Sequence, residues 1–292
     1  MSLHSVKEYL RKRKATILSY LKDWILVIIF LVIFLAIAND ISNADLLPPF
    51  HQEFYVDDWS IRYPYSATER VNLTALLIIA IVAPFVIICL IAGAIKRSFH
   101  DLHNGVLGLF FALTFTLMFT DVLKITIGEP RPDMLARCQP SPNTQSPAEA
   151  LLNISVCTTP YDSTFQDGFK SFPSGHSSFS FAGLGYLSLY LCGKLHVFDH
   201  KGHVWKGFVV LVPIMGAILV AISRIMDYRH HPWDVVFGGL LGSLAAYFSY
   251  HQYYPPLHAN DCHLPFEPRH HVKLVSRPED ETQSAETPHN QE

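Results

Sequence analysis

The feature that most constrains this chain is a series of six apolar stretches. Several of them approach the length of about 20 residues that an α-helix needs to cross a bilayer. They run over residues 17–38, 73–95, 106–123, 174–192, 208–222 and 235–250. The sequence therefore predicts an all-α fold, a six-transmembrane helix bundle. A soluble all-α protein with buried helices is the alternative, but the stretch 73–95 contains no charged residue and argues against it.

The composition of the six stretches predicts different surroundings for them. The first three are rich in Ile, Leu and Phe, as expected of helices that face lipid. The last three are rich in Gly, Ala and Ser, which favours close packing between helices. A net charge of -3 gives no reason to expect a nucleic-acid partner. The partner that the apolar stretches predict is a bilayer.

The distribution of Lys and Arg predicts the orientation of the chain, because positive residues favour cytoplasmic loops. They cluster before the first apolar stretch, after the second and after the fourth, whereas the first loop is acidic. Both termini are therefore predicted to be cytoplasmic. The clusters consist of Lys7, Arg11, Lys12, Arg13, Lys14, Lys96, Arg97, Lys194, Lys201 and Lys206.

The chain divides into three predicted segments. Residues 1–16 form a cytoplasmic N-terminus, residues 17–257 form the membrane domain with a catalytic core at 124–234, and residues 258–292 form a polar, disordered cytoplasmic tail. The long third loop contains Cys138 and Cys157, which either form a disulfide in an oxidising compartment or remain free thiols. Asn72 and Asn153 begin glycosylation sequons in the predicted far-side loops.

Three polar clusters interrupt the apolar pattern, each at a predicted membrane boundary on the same face. The first contains Lys124 and Arg131, separated by six residues and followed by a proline. Two cations held by a short segment form a clamp for phosphate, and the arginine can bind two oxygens at once. The alternative is a pair of cations that merely mark the membrane edge.

The second cluster, Pro173-Ser174-Gly175-His176, opens the fourth stretch. Free backbone N–H groups and the helix dipole make such a helix start an anion site. His176 lies in the first turn, where it can reach the leaving oxygen of a bound phosphate. The alternative is a capping serine beside an incidental histidine.

The third cluster runs from Ser223-Arg224 to His230, His231 and Asp234. His230 and Asp234 lie one helical turn apart, so the carboxylate can hold one imidazole nitrogen and leave the other free to attack phosphorus. His231 is also within reach of Asp234, and the spacing does not separate the two histidines. The alternative is a salt-bridge cluster at a helix start.

Together the clusters supply what phosphoryl transfer needs, namely positioning and neutralisation of the phosphate oxygens beside a nucleophile. No dense acidic cluster typical of a Mg²⁺ site and no Cys/His pattern with zinc spacing accompanies them in the sequence. We therefore predict hydrolysis of a phosphate ester without a metal or another cofactor.

The motifs Lys-x6-Arg-Pro, Pro-Ser-Gly-His and Ser-Arg-x5-His-x3-Asp, in this order, resemble those of the type-2 phosphatidic acid phosphatase superfamily. Every motif position is filled. The resemblance implies an active site at the non-cytoplasmic face, with His230 as nucleophile, Asp234 as its orienting carboxylate and His176 as the acid for the leaving group. The residues that it assigns to phosphate binding are Lys124, Arg131, Ser174, Gly175 and Arg224.

Five further segments look like the fungal diacylglycerol pyrophosphate phosphatases of that superfamily: residues 63–70, 137–140, 156–159, 167–169 and 173–187. This resemblance implies a phospholipid substrate, with conversion of diacylglycerol pyrophosphate to phosphatidate and of phosphatidate to diacylglycerol. It also implies a vacuolar or other endomembrane location with a lumenal active site. The alternatives are a phosphatase for polyprenyl pyrophosphates or sphingoid-base phosphates, or a non-catalytic binder of lipid phosphates, which would be expected to lack some of these residues.

Overall fold

The computed structural model of this chain describes residues 18, 20–33, 48–146 and 150–268. Over these residues the protein is mostly helical and has no β-strand, so the prediction of an all-α fold is confirmed. Two isolated bridges, Phe54 with Leu152 and Pro140 with Cys157, are the only β-type pairings in the described part. The predicted N-terminal segment 1–16 lies outside the described residues.

Residues 23–266 form one structural unit. Its helices are, in chain order, α1 (20–33, of which 23–33 belong to this unit), α2 (Leu73–Ile95), α3 (Phe99–Ile127), α4 (Met134–Cys138), α5 (Ser163–Asp167), α6 (Gly175–Leu195), α7 (Val204–Met226) and α8 (Pro232–Tyr253). Two short 3-10 turns, Trp59–Ile61 and Ile154–Val156, lie in the loops, and α2 includes π-helical turns at Ile78–Val82 and Cys89–Ile95.

Three of the described helices, α2, α3 and α7, are long and apolar enough to cross a membrane. They correspond to three of the six predicted stretches, and the first predicted stretch is described only in part. The helices α6 and α8 are less apolar. For α6 the physical reason is its position: α3, α7 and α8 surround it and bury most of its residues. Its surface therefore contacts protein.

The small residues of the later helices allow α6 and α8 to approach each other closely. A Cβ atom on Gly242 would lie 2.1 Å from the carbonyl oxygen of Ser178, and one on Gly238 would lie 2.6 Å from that of Ser174. Neither position can carry a larger side chain without a shift of the backbone. The close packing predicted from the composition is confirmed, and it joins the start of α8 to the start of α6.

The loops before α2 and after α3 build a small apolar core of their own. Cys138 and Cys157 form a disulfide, so the first of the two alternatives for these thiols is correct. The disulfide links the end of α4 to the turn Ile154–Val156. The other buried apolar residues of this core are Phe54, Val56, Ile61, Met134, Phe165 and Phe169.

A buried polar layer joins α3, α6 and α8 at the opposite end of the bundle. Asp101 accepts hydrogen bonds from Lys194 Nζ at 2.5 Å and from the Tyr254 hydroxyl at 2.8 Å. Residues 258–266, where we predicted the start of a disordered tail, are described in the structure. The backbone carbonyl of His263 accepts a hydrogen bond from Lys194, and Cys262 is buried. Residues 269–292 of that tail lie outside the described residues.

Candidate active site

The three predicted motifs meet at one end of the helix bundle. Lys124 lies in the last turn of α3 and Arg224 in the last turn of α7, while Ser174 caps the start of α6 and Asp234 lies in the first turn of α8. The backbone N–H of Ser174 donates to the carbonyl of Asp234 at 3.1 Å. Helices that alternate in direction therefore bring residues far apart in sequence to one place.

His230 is buried, with 4% of its surface exposed. Its Nδ1 lies 2.7 Å from the backbone carbonyl of Ser171. A carbonyl only accepts hydrogen bonds, so Nδ1 must carry the proton and the lone pair of a neutral ring is on Nε2. Burial lowers the pKa of His230 well below its ordinary value, and the nearby cations Lys124 and Arg131 add to this effect. The ring is therefore a neutral imidazole with a free Nε2.

Asp234 approaches His230 less closely than the one-turn spacing suggested. Its Oδ2 lies 3.7 Å from His230 Nδ1, longer than a hydrogen bond. The same oxygen accepts shorter bonds from the hydroxyl of Ser171 at 2.6 Å and from the backbone N–H of His231 at 2.8 Å. The second of these bonds belongs to the cap of α8. Asp234 therefore acts on the imidazole through its charge, while Ser171 provides the hydrogen bond.

His176 lies in the first turn of α6 and is half-buried. Its Nε2 is 3.1 Å from the backbone carbonyl of Val71, just before α2. The same reasoning puts a proton on Nε2, because the carbonyl cannot donate. The contact leaves Nδ1 of His176 as the nitrogen that can exchange protons with another group.

Lys124 and Arg131 are positioned by the tight turn after α3. Gly128 ends that helix with φ at +65°, and a Cβ atom there would lie 1.7 Å from the carbonyl oxygen of Phe50, so only glycine fits. Lys124 Nζ donates to the carbonyl of Lys170 at 2.7 Å. Its Cε lies 3.6 Å from where a Cβ of Gly175 would be, so the first two motifs are adjacent.

Arg131 and Arg224 are both buried and both paired with carboxylates. Arg131 Nη2 donates to Asp167 at 2.8 Å. Arg224 donates through Nη1 to Glu69 at 3.1 Å and through Nη2 to Asp227 at 2.8 Å. Each guanidinium is thus held by an acidic residue outside the sequence motifs.

His231 has different surroundings from His230. It stacks on Trp233 with ring centroids 4.4 Å apart, and its Nδ1 lies 3.4 Å from Asp234 and 3.8 Å from Glu129. Glu129, His231 and Asp234 offer three ligand atoms within 4.8 Å of one another, a set that could hold a metal ion.

Several residues of this site were not predicted from the sequence. Asp167 and Ser171 lie six and two residues before Pro173 of the second motif, and Asp227 and Arg229 lie at variable positions of the third motif. Proximity to the motifs was therefore an available signal. Glu69 had no such signal, because it contacts Arg224 from 155 residues away. As a whole, the site places a neutral imidazole among fixed cations at a helix N-terminus, which is suited to binding and attacking an anion.

This fold and site define the class of protein. The PAP2 superfamily matches residues 105–256, which include all three motifs. The chain belongs to this superfamily, and the resemblance drawn from the motifs is confirmed.

Individual relatives are similar over most of their length. The chain is 40% identical over 249 residues to diacylglycerol pyrophosphate phosphatase 1 of Saccharomyces cerevisiae, covering 84% of each chain. It is 40% identical over 240 residues to lipid phosphate phosphatase 2 of Arabidopsis thaliana, covering 81% of this chain and 78% of the relative. A probable diacylglycerol pyrophosphate phosphatase 1 of Schizosaccharomyces pombe is 39% identical over 213 residues, covering 73% of this chain and 75% of the relative. No solved structure matches this chain.

Proposed function

We propose that this chain is an integral-membrane lipid phosphatase that acts through a phosphohistidine at His230. Its substrates are diacylglycerol pyrophosphate, which it converts to phosphatidate, and phosphatidate, which it converts to diacylglycerol. The observation that carries the proposal is the 2.7 Å contact of His230 Nδ1 with the Ser171 carbonyl. That contact leaves the Nε2 lone pair free, as a nucleophile requires.

In the first step, Nε2 of His230 attacks phosphorus and the bond from phosphorus to the leaving oxygen breaks. The leaving oxygen takes the bonding electron pair and receives a proton from His176. For this step His176 must be the imidazolium, with a proton on each ring nitrogen. Because Nε2 donates to Val71, Nδ1 is the nitrogen that gives up its proton. Asp234 is close enough to stabilise the positive charge that develops on His230.

In the second step, a water molecule attacks the phosphohistidine. The nitrogen–phosphorus bond breaks, its electron pair returns to Nε2 of His230, and the proton of the water passes to Nδ1 of His176. Inorganic phosphate leaves and both histidines regain their starting states. The two steps require one residue to serve first as acid and then as base.

The protein supplies the charge that neutralises the phosphoryl oxygens. Lys124, Arg131 and Arg224 are buried or nearly so, and the first turn of α6, with Ser174 and Gly175, adds backbone N–H groups. Fixed cations in a water-poor site stabilise a phosphoryl transition state strongly. We therefore propose that hydrolysis proceeds without an added metal ion.

The spacing of the two polar layers supports a bundle in which α6 and α8 also cross the membrane. The active-site end contains Lys124, Ser174 and Asp234, and the opposite end contains Asp101, Lys194 and Tyr254. Along each of the three helices the two layers are 20 to 23 residues apart, or about 30–35 Å at 1.5 Å per residue. This matches the hydrocarbon core of about 30 Å and supports six spans when α1 is included.

The disulfide in the active-site loops supports a lumenal site. Cys138 and Cys157 are bonded next to the segments that hold the site, and disulfides persist in oxidising compartments. The Lys and Arg clusters of the sequence favour the cytoplasm for the opposite face. We therefore propose an endomembrane location, such as the vacuole, with the active site facing the lumen.

The proposal is tested by phosphate release from a lipid panel. The full-length protein in detergent is assayed with diacylglycerol pyrophosphate, phosphatidate, a polyprenyl pyrophosphate and a sphingoid-base phosphate, with and without excess EDTA. His230→Asn is the test variant and His231→Asn is the matched control at the neighbouring position. We expect full activity in EDTA, a loss of more than about 1,000-fold in His230→Asn, and a much smaller effect in His231→Asn.

The panel also separates the alternatives. Preference for a polyprenyl or sphingoid substrate would replace the proposed headgroup but keep the chemistry. Binding of phosphatidate without any phosphate release would contradict the proposal of an enzyme. A requirement for Mg²⁺ would contradict the cation clamp.

A further inference from the structure

Arg131 forms two hydrogen bonds with the segment around Asp167. Its backbone N–H donates to the carbonyl of Gly168 at 2.7 Å, and its Nη2 donates to Asp167 at 2.8 Å. Arg131 is 8% exposed, and its Nε is buried without an acceptor among the described residues. One edge of the guanidinium is therefore fixed, while Nε remains a buried donor without an acceptor among the described residues.

Asp167 is itself held in place by a second arginine. Arg137 Nη1 lies 3.2 Å from Asp167, and Arg137 also binds both carboxylate oxygens of Asp133 at 2.9 Å and donates to the carbonyl of Thr164 at 2.7 Å. Arg137 precedes Cys138 of the disulfide. The carboxylate of Asp167 is thus fixed by a rigid network in the loops, although 38% of its side chain is exposed.

The charges around Arg131 explain why it needs such a partner. Lys124, Arg137 and Arg229 all lie close enough to repel its positive charge. Asp167 compensates this repulsion, because it contacts Arg131 and Arg137 directly and lies 3.8 Å from Arg229. Arginine binds phosphate best when its planar fork is held in one orientation.

We propose that Asp167 is a positioning residue that orients Arg131 toward the transferring phosphoryl group. It acts through Arg131 and does not touch the substrate. The inference rests on the proposed function, in which Arg131 binds the phosphoryl oxygens. Asp167 lies in the segment before the Pro-Ser-Gly-His motif, so the residue that orients Arg131 is outside the three motifs.

A double-mutant cycle tests this inference. Phosphatidate hydrolysis is measured for the wild-type protein, Asp167→Asn, Arg131→Ala and the double variant. We expect Asp167→Asn to lower kcat/KM about 10- to 100-fold, the range for loss of a charge-assisted hydrogen bond. In the Arg131→Ala background the same change is expected to lower kcat/KM less than about 2-fold, because its target is missing. Asp167→Glu, which keeps the charge, is expected to recover part of the activity.

Two further measurements separate orientation from folding. Asp57→Asn is the control, since Asp57 is a more exposed carboxylate whose ion pair, at 2.9 Å, is with Arg62, and we expect it to retain wild-type kcat/KM. Affinity for inorganic phosphate, measured by the shift in melting temperature, provides a readout that does not depend on turnover. Asp167→Asn is expected to weaken phosphate binding when Arg131 is present, and to have no such effect in the Arg131→Ala variant.

Two outcomes would overturn the inference. The first is an unchanged or increased kcat/KM in Asp167→Asn, as expected if the carboxylate only occupied the phosphate position. The second is a pair of losses that multiply in the double variant, as expected of an independent structural role. If the wild-type protein releases no phosphate, the proposed function fails instead. The affinities of the four proteins for inorganic phosphate, measured by melting temperature, then still decide whether Asp167 acts through Arg131.

Discussion

The backbone carbonyl of Ser171 accepts a hydrogen bond from Nδ1 of His230 at 2.7 Å, and the Ser171 hydroxyl donates to Asp234 at 2.6 Å. Ser171 thus joins the two residues that the third motif predicted to contact each other directly. A backbone carbonyl is still present as an acceptor when the side chain of Asp234 is replaced. We therefore expect the tautomer of His230 to be independent of the carboxylate.

This arrangement predicts the effect of Asp234→Asn. Where a carboxylate alone fixes the tautomer of a histidine, the same change costs about 10,000-fold in kcat. Here the Ser171 carbonyl keeps the proton on Nδ1, so only the electrostatic contribution of Asp234 is lost, and we expect kcat to fall about 100-fold. Steady-state kinetics of the purified variant check this value. A loss equal to that of His230→Asn would show that Asp234 fixes the tautomer after all.

The lowered pKa of His230 predicts a dependence of stability on pH. Burial keeps the imidazole neutral in the folded protein, whereas the unfolded chain binds a proton below about pH 6.5. Stability is therefore complete above that pH and decreases as the pH falls, by at most about 1.4 kcal/mol per pH unit for one group. We expect His230→Asn to lose less stability than the wild type between pH 6.5 and 5. Parallel melting curves for the two proteins would contradict this.

The disulfide predicts a loss of stability on reduction. Cys138 and Cys157 are 19 residues apart in sequence, and closing a loop of this size stabilises a fold by about 3 kcal/mol. We expect replacement of both cysteines by serine to lower the melting temperature, and reductant to have no further effect on that variant. The three remaining cysteines, Cys89, Cys192 and Cys262, are free and serve as the internal control. An unchanged melting temperature would contradict a stabilising disulfide.

The polar layer at the opposite end predicts a change in stability without a change in catalysis. Asp101→Asn would leave the buried ammonium of Lys194 without its anionic partner, which costs about 3–5 kcal/mol. We expect a lower melting temperature but a wild-type kcat/KM for the folded protein. Asp199→Asn, which removes the more exposed pair with Lys206, is the control and is expected to have a smaller effect. A matching loss of kcat/KM in Asp101→Asn would mean that the two ends are coupled.

The sequence predicted much of the fold and the candidate site because side-chain patterns carry that information. Apolar stretches predicted the helices, and the motifs predicted which residues meet. The small residues of the last three stretches predicted close helix packing, which the structure has at Gly238 and Gly242. The disulfide was one of two alternatives, since two cysteines in one loop do not show whether they are paired. The lower hydropathy of α6 follows from its position inside the bundle, which only the packing reveals.

The remaining parts depend on contacts that no local pattern encodes. The Ser171 carbonyl is a backbone group, so nothing in its side chain indicates that it holds His230. Glu69 reaches Arg224 only because the loop before α2 folds over the end of α7. Asp167 forms ion pairs with both Arg131 and Arg137, and these contacts depend on the fold of the loops.

The most direct test of the central claim is to trap the covalent intermediate. Protein incubated briefly with diacylglycerol pyrophosphate labelled in its terminal phosphate is quenched in base, digested, and analysed for a phosphorylated peptide. We expect an acid-labile label on His230, its disappearance in His230→Asn, and its retention in His231→Asn. A label on His231 or on any other residue would contradict the assignment of His230 as the nucleophile.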